Sequence, residues 1–267
     1  MPVSFPITPK PISQEEFTAL DYQITRLAYD SHNALGRLCD EEIYQNDLAA
    51  RIEEAGLGPV RKEMPITVTH RDFSKYYFFD LVVADSAVYE LKTATRLATD
   101  NENQALNYLF LWGAHHGKLL NFRPAQVETR FVNTKLTPEA RKCFDLHLER
   151  WTETDSTTET FRKLLTNLLE DWGAFLDFNL YTEGVTHCLG GESDIIHSVP
   201  LSRNGIPLGN QRMHLLNADT AFKITGMTNG VAAFEKQLNS LLGLTPLKTL
   251  LWVNLNHHNI EFVTLTK

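Results

Sequence analysis

The pattern with the clearest chemical content lies between Phe78 and Ala94, where an aspartate is followed after nine residues by Glu-x-Lys. The residues are Asp80, Glu90 and Lys92. Two carboxylates beside an ammonium suit a hard divalent metal bound to a phosphodiester, with the lysine available to the attacking water or the developing negative charge. A buried ion pair in a β-hairpin uses the same residue types, so both interpretations stand on spacing alone.

A hairpin is needed to bring these groups together. Apolar and polar residues alternate in 79–83 and again in 88–91, which predicts two strands joined by a turn at Asp85-Ser86. A turn centred on the aspartate puts Asp80 opposite Glu90. Because side chains alternate faces along a strand, the lysine two residues after Glu90 projects to the same side. We therefore expect the three charged groups to converge.

Two flanking segments carry further polar residues at helical spacing. The apolar spacing around 32–44 predicts a helix, on which Glu41 and Tyr44 share a face. Residues 103–111 predict a second, strongly apolar helix in which Gln104 and Tyr108 lie one turn apart. Both helices are candidates to complete the site.

Five ordered pieces of residues 13–134 together resemble the GxxExxY proteins of the PD-(D/E)XK nuclease superfamily. The pieces are His-x-x-Leu-Gly at 32–36, Glu-x-x-Tyr at 41–44, Asp80, Glu90-Leu91-Lys92, and Gln-x-x-x-Tyr at 104–108. One departure is visible, because Leu38 stands where the turn of that family has its second glycine.

The resemblance implies a role for each matching residue. The implied metal ligands are Glu41, Asp80, Glu90 and the backbone carbonyl of Leu91, with Mg²⁺ or Mn²⁺ as the cofactor. Lys92 would orient the nucleophilic water, and the catalytic set would be completed by positioning residues Gln104 and Tyr108. Both tyrosines also fit an ordinary core position with a satisfied hydroxyl. For His32 we favour a packing or capping role, since a continuous helix puts it on the opposite face from Glu41.

Composition favours a soluble, cytoplasmic enzyme. The chain has 267 residues, 43% of them hydrophobic, and no apolar run of membrane-spanning length. Its three cysteines lack Cys-x-x-Cys spacing, so we expect neither structural zinc nor an iron–sulfur cluster, and we expect the cysteines to be buried and inert.

The net charge of −8 is unusual for a protein that binds nucleic acid. Residues 1–137 contain 14 basic and 18 acidic residues, and the remainder contains 11 and 15, so each part has a charge of −4. A local basic patch could still guide a phosphate backbone; its members would be Arg61, Lys62, Arg71, Lys75, Lys92 and Arg96. The charge favours a selective substrate or one delivered by a recruiting protein partner.

The C-terminal part begins with a segment expected to connect two domains. The sequence from Thr137 to Trp151 predicts a helix with Pro138 at its first position. The polar stretch Thr152–Thr160 is the best linker candidate, and an amphipathic helix is expected from Phe161.

Beyond this linker the sequence echoes its own first half at offsets of 133 to 137 positions, which indicates a tandem duplication. Generic strand and helix patterns are the alternative explanation. The alignment puts His214 at the place of Asp80, Lys223 or Ile224 at that of Glu90, Thr225 near Lys92, Asn179 or its neighbour near Glu41, and Gln237 opposite Gln104. No carboxylate pair remains there. The adjacent pair His257-His258 is expected in a solvated loop.

The sequence therefore predicts an α+β chain with a restriction-endonuclease-like core, a mixed sheet flanked by helices, followed by a degenerate copy. The expected divisions are a nuclease-like domain at 1–137, a connecting helix and linker at 138–158, and the copy at 159–267. The expected function is metal-dependent phosphodiester hydrolysis, more plausibly of DNA than of RNA, by a monomer or homodimer. The alternatives are a catalytically silent nucleic-acid- or protein-binding module and a nuclease subunit that needs a recruiting partner.

Overall fold

A computed structural model describes residues 2–267 of the chain. These residues form two compact units, one made of residues 2–69 and 74–138 and the other of residues 70–73 and 139–267. Each unit is built around its own six-stranded mixed sheet. Within the described chain, no helix is long and apolar enough to cross a membrane.

In the first unit, two helices lie between the short first strand and the other five strands, and a third helix connects two parallel strands. The helices are α1 (Gln14–Leu35), α2 (Glu41–Glu54) and α3 (Thr99–Trp112). The strands are β1 (Val3–Ser4), β2 (Val60–His70), β3 (Phe73–Val83), β4 (Ala87–Lys92), β5 (His116–Asn121) and β6 (Glu128–Asn133), adjacent in that order. Strands β3 and β4 are antiparallel, β4 and β5 are parallel, and β5 and β6 are antiparallel.

The expected continuous helix through 32–44 is wrong, because the chain breaks between α1 and α2. Gly36 ends α1 with φ 73°, a conformation that residues with a Cβ rarely adopt. The buried hydroxyl of Tyr44 donates a hydrogen bond to the Gly36 carbonyl at 2.7 Å and accepts one from the Cys39 N–H at 3.3 Å. Leu38 does not have a positive φ and is 82% exposed, so its replacement of a glycine strains nothing.

The β3–β4 hairpin forms where alternation predicted it, although its turn differs by one residue. Ala84 and Asp85 both have φ 56°, and the Ser86 N–H bonds to the Val83 carbonyl at 3.0 Å. The left-handed pair is thus Ala84-Asp85, with Ser86 following it. Aspartate is one of the residue types enriched in this conformation, and the Asp85 carboxylate also pairs with Arg61 at 2.8 Å.

Strand β4 is the centre of the first sheet and is buried on both faces, apart from half-buried Lys92. One face packs against α1 and α2 through residues such as Phe17, Leu48 and Tyr89. Helix α3 covers the other, and a Cβ on Gly117 of β5 would meet the Leu109 side chain at 3.1 Å. This glycine lets α3 approach the sheet closely.

The second unit has four helices after the boundary region and its own set of strands. The helices are α5 (Ser156–Trp172), α6 (Phe178–Cys188), α7 (Glu192–Ile195) and α8 (Val231–Leu244), preceded by the short α4 (Pro138–Arg141). The strands are β7 (Asp145–Arg150), β8 (Ile196–Arg203), β9 (Ile206–Leu215), β10 (Thr220–Thr225), β11 (Thr249–Asn256) and β12 (Asn259–Thr266). Their spatial order is β7-β12-β11-β10-β9-β8.

The helix expected over 137–151 is mostly wrong. Only α4 is helical, and the following residues form β7, which pairs in parallel with β12. The segment DLHLER alternates polar and apolar residues, so a strand along the sheet edge suits it. Residues 138–158, expected to connect two domains, therefore supply an edge strand and the start of α5, which begins at Ser156 inside the expected linker.

The three cysteines are free, but the expectation that they are buried is wrong. Cys143 is exposed, and Cys39 and Cys188 are half-buried. The His257-His258 pair lies at the β11–β12 turn, where His257 is exposed with φ 56°.

Five strands of each sheet share one connectivity, whereas the sixth differs, since β1 pairs antiparallel with β2 and β7 pairs in parallel with β12. In each, two helices precede a strand hairpin, a third strand pairs antiparallel, a helix crosses over to a parallel fourth strand, and the fifth strand is antiparallel. The helix-pair turn is also the same. Gly173 ends α5, and its carbonyl accepts a hydrogen bond from the buried Tyr181 hydroxyl, as the Gly36 carbonyl does from Tyr44.

These tyrosine hydroxyls should stabilise their units measurably. Tyr181→Phe leaves the buried Gly173 carbonyl without its donor, which should lower the free energy of unfolding by about 1–3 kcal/mol. Tyr44→Phe removes the donor of the Gly36 carbonyl, which is exposed, and should cost about 0.5–1.5 kcal/mol. Tyr22→Phe is the matched control, since Tyr22 is 76% exposed, and it should cost less than about 0.5 kcal/mol. Urea denaturation followed by circular dichroism measures all three. Equal costs in the three variants would contradict a capping role.

Candidate active site

Lys92 lies among three carboxylates at the end of β4. Its Nζ is 2.6 Å from an oxygen of Glu90 and 3.9 Å from an oxygen each of Asp80 and Glu41. The structure therefore brings together all four charged residues that the sequence singled out. Three carboxylates against one ammonium leave this cluster with an excess negative charge when all are ionised.

Different elements deliver the four side chains. The β3–β4 register pairs Leu81 with Tyr89, so Asp80 and Glu90 occupy the next opposed positions. The backbone then fixes the carboxylates further. The N–H of Leu91 donates to Asp80 at 2.6 Å. The N–H of Thr93 donates to Glu41, the first residue of α2, at 3.1 Å.

Burial changes the acid strength of two of these carboxyls. Glu90 is 1% exposed, and its burial, assisted by the nearby Asp80 carboxylate, raises its pKa to about 8. Burial likewise raises the pKa of Asp80 to about 6, against the opposing attraction of Lys92 and the hydrogen bond from the Leu91 N–H. Without additional positive charge, the site therefore favours a proton on Glu90 near neutral pH, whereas Asp80 is mostly ionised there.

The pKa of Lys92 is also raised, which for a lysine favours the charged form. Burial alone would lower its pKa, but the charges of Glu90, Asp80 and Glu41 together raise the pKa above the ordinary lysine value. The side chain is accordingly an ammonium at neutral pH. It can donate hydrogen bonds and stabilise negative charge, and it is a poor proton acceptor.

The donor types and charge at this cluster fit a hard divalent cation. Carboxylate oxygens are the ligands that Mg²⁺ and Mn²⁺ prefer, and one oxygen of buried Glu90 has no hydrogen-bond partner in the described chain. Across residues 2–267, however, no three His, Cys, Asp or Glu side chains are arranged to hold a metal ion as they stand. The carboxylates instead point toward Lys92 and backbone N–H groups, so ligation requires them to turn.

Gln104 and Tyr108 share a face of α3, as their spacing predicted. The Gln104 amide donates to the Tyr108 hydroxyl at 3.1 Å. Burial raises the pKa of Tyr108 to about 12, and the charges of Glu90 and Asp80 add to the rise, which shows that this hydroxyl lies within electrostatic reach of the carboxylates. Tyr44 is different, because its hydroxyl is committed to the turn before α2. His32 is buried and contacts the Pro124 carbonyl at 3.1 Å, away from the four charged groups.

Arg123, which the sequence did not single out, connects the elements that carry the site. Its guanidinium donates to the carbonyl of Thr93 at 3.2 Å and to those of Arg37 and Cys39 at 2.9 and 3.3 Å. These contacts join the end of β4 to the turn before α2. No local motif could have indicated this, because the partners are backbone carbonyls 30 to 86 residues away.

Gln45 is a second residue that the sequence reading missed. This buried side chain donates to the Asp80 carbonyl at 3.0 Å and to Glu63 at 2.6 Å. Glu63 has φ 47°, an uncommon conformation for a residue with a Cβ. Gln45 lies four positions after Glu41, one turn further along α2, and that spacing is the only signal that could have suggested it.

In a comparison with protein families, the segment that holds these residues matches one family model. Residues 18–132 match the PD-(D/E)XK nuclease superfamily. Members of this superfamily are typically nucleases, which are hydrolases, and they generally use divalent metals. The match includes Glu41, Asp80, Glu90 and Lys92, and it ends before residue 139, where the larger segment of the second unit begins. No curated protein and no solved structure matches the chain.

The raised pKa of Glu90 predicts how stability depends on pH when metal is absent. The folded protein binds this proton more tightly than the unfolded chain, so the stabilisation is complete below about pH 4.5 and disappears as the pH rises through about 8. Glu90→Gln cannot ionise. In chelator, its free energy of unfolding should therefore rise relative to wild type across this range, as measured by urea denaturation.

Glu42→Gln is the control for this experiment, because Glu42 is exposed and lies beside Glu41 on the same helix. It should follow the pH dependence of the wild type. If Glu90→Gln does so too, the buried carboxyl does not titrate as described.

Proposed function

We propose that the first unit is a divalent-metal-dependent nuclease acting on DNA. The observation that carries this proposal is the convergence of three carboxylates and an ammonium at the end of β4, inside the segment that matches the nuclease superfamily. A buried ion pair needs only one carboxylate for each ammonium. The surplus of carboxylates, costly without a further cation, supports a metal site.

In the proposed mechanism, Glu41, Asp80, Glu90 and the Leu91 carbonyl would hold Mg²⁺ or Mn²⁺. The bound ion would polarise the phosphodiester and lower the pKa of a bound water. Lys92 donates hydrogen bonds to that water or to the phosphoryl oxygen, where negative charge develops. The water oxygen would bond to phosphorus as one ester P–O bond breaks. The water would release a proton to solvent, and the leaving oxygen would take up a proton from solvent. Gln104 and Tyr108 position the scissile phosphate beside Lys92.

We also propose that the second unit is a degenerate copy of the first. The shared strand connectivity supports this. So does a hydrogen-bonding arrangement between an asparagine side chain and the backbone that occurs once in each unit. Asn121 bonds through its amide to both backbone groups of Ala94, and Asn254 does the same with Met227. Both partners lie 133 positions later, at one of the offsets seen in the sequence.

The corresponding positions in the second unit hold no carboxylate pair. The β10–β11 register pairs Thr225 with Asn254, as β4–β5 pairs Lys92 with Asn121, so Lys223 corresponds to Glu90. On β9 the strand register differs by one residue from the sequence alignment, which put His214 at the place of Asp80. Phe222 pairs with His214, which makes Met213 the counterpart of Asp80.

Single substitutions test the catalytic proposal. Asp80→Ala, Glu90→Ala and Lys92→Ala should each reduce cleavage of linear and circular DNA by at least about 10²–10³-fold, because each removes a ligand or a donor to the developing charge. The assay compares Mg²⁺, Mn²⁺ and chelator, with RNA and single-stranded DNA as alternative substrates. Chelator should abolish the wild-type activity.

Lys223→Ala is the matched control, since it alters the position in the second unit that corresponds to Glu90. It should leave the cleavage rate unchanged. Retained metal-dependent cleavage in all three site variants would end the assignment. An inactive wild-type chain that binds Mn²⁺ in calorimetry would favour a nuclease subunit awaiting a partner, and absence of Mn²⁺ binding would favour a silent binding module.

A further inference from the structure

The β8–β9 hairpin of the second unit extends beyond its sheet as a two-stranded ribbon. Residues 202–212 are all exposed. Strand β9 pairs with β10 only through Leu215 and His214 at its base, so no third strand of the described chain supports the distal part. We define the ribbon as residues 200–212.

The ribbon is nevertheless well specified. Its turn is Asn204-Gly205, with φ 53° and 77°, the favoured pair for a tight hairpin. Its base is fixed by Val199 and Met213, which are buried in the core that includes α8. From Pro200 to the turn the ribbon rises about 13 Å, at roughly 3.3 Å per residue. A projecting ribbon with a defined turn and an anchored base can act as a preformed arm.

The charge of this segment differs from that of the chain as a whole. The protein has a net charge of −8, yet no Asp or Glu occurs from residue 195 to residue 218. The ribbon carries Arg203 beside its turn and Arg212 near its base, and neither forms an ion pair with another described residue. Its remaining polar side chains are uncharged, namely Ser202, Asn204, Asn210 and Gln211. The ribbon therefore suits an anionic partner.

The tip adds exposed apolar groups to these charges. Ile206 is 60% exposed and Leu208 is 51% exposed, with Pro207 between them. A register shift between Leu201 and Ser202 leaves Leu208 as an extra residue on β9. Side chains of these three types can wedge between base steps of a duplex.

We infer that the ribbon of residues 200–212 is an arm that binds duplex DNA. Arg203 and Arg212 would contact phosphates, and Ile206 with Leu208 would pack against base edges or between base steps. The major groove of B-form DNA admits a two-stranded ribbon, whereas the deep, narrow major groove of A-form RNA does not. This inference rests on the proposed function for its choice of substrate, and it assigns the second unit a part in holding that substrate.

A second copy of the chain is the alternative partner for the ribbon, since the edge strand β8 could pair with the β8 of another copy. Charge argues against it. An arm that meets its own copy brings two arginines against two arginines with no carboxylate between them, and like charges oppose such a contact. DNA supplies the opposite charge along its whole length.

The arginines can be tested by binding without hydrolysis. The full chain is titrated against a short fluorescein-labelled DNA duplex in chelator, over a series of salt concentrations, and anisotropy is read. Arg203→Gln with Arg212→Gln should weaken binding and reduce the slope of log K against log salt by about 1.8, which is the effect of two lost phosphate contacts.

The matched control removes two exposed lysines from the same unit, Lys142→Gln with Lys236→Gln, and changes net charge equally. It should change the slope of log K against log salt by less than the effect of about half a phosphate contact. Urea denaturation should show unchanged stability in both double variants, because all four side chains are exposed.

The apolar tip gives an independent readout. Ile206→Ser with Leu208→Ser should lower affinity severalfold while preserving the salt slope, since no charge is lost. It should also reduce any bend that energy transfer detects between the labelled ends of the duplex. Duplex RNA should bind more weakly and respond less to the arginine variants.

Equal affinity and slope in the arginine variants and wild type would overturn the inference, as would an effect on duplex RNA as large as that on DNA. A change in sedimentation with no change in DNA binding would also overturn it, in favour of self-association. The outcome is separable from the catalytic proposal. Loss of DNA binding in these variants stands even if no cleavage occurs, and cleavage by Asp80→Ala leaves the binding result intact.

Discussion

The compensation of buried negative charge by Lys92 is the constraint around which the first unit is organised. Glu90 lies at the centre of a sheet buried on both faces, a position where an unpaired carboxylate is very costly. Its ion pair with Lys92 offsets part of this cost, while Asp80 and Glu41 add negative charge around the same ammonium. A cluster built this way is poorly balanced unless protons or another cation join it. That imbalance is the physical basis for assigning chemistry to it.

The remainder of the first unit keeps these groups in place. The hairpin register aligns two of the carboxylates, and the break after α1 lets α2 start at Glu41. Arg123 then ties the turn before α2 to the end of β4, through carbonyls that would otherwise need another donor. Precise placement of a charged cluster thus depends on contacts between segments far apart in sequence, and a small displacement of α2 would move Glu41 out of reach.

A comparison of the two units separates features that support the fold from features that only the proposed chemistry needs. The tyrosine that closes the helix-pair turn and the asparagine that bonds both backbone groups after the third strand occur in both units. Each provides hydrogen-bond partners for backbone groups at the same place in the two units. The carboxylates of Asp80 and Glu90 lie in the first unit. By strand register, Met213 and Lys223 stand at the equivalent positions of the second unit. What the second unit adds is an exposed, acid-free ribbon.

The sequence by itself determined the hairpin, the opposed positions of Asp80 and Glu90 and the shared face of Gln104 and Tyr108, because strand and helix periodicity are local properties. It also indicated the superfamily whose members residues 18–132 resemble. Only the tertiary structure decided the roles of Arg123 and Gln45 and the strand at 145–150, because each depends on a partner remote in the chain. The pKa of Glu90 belongs to the second group too, since burial is a property of the packed sheet and not of the glutamate.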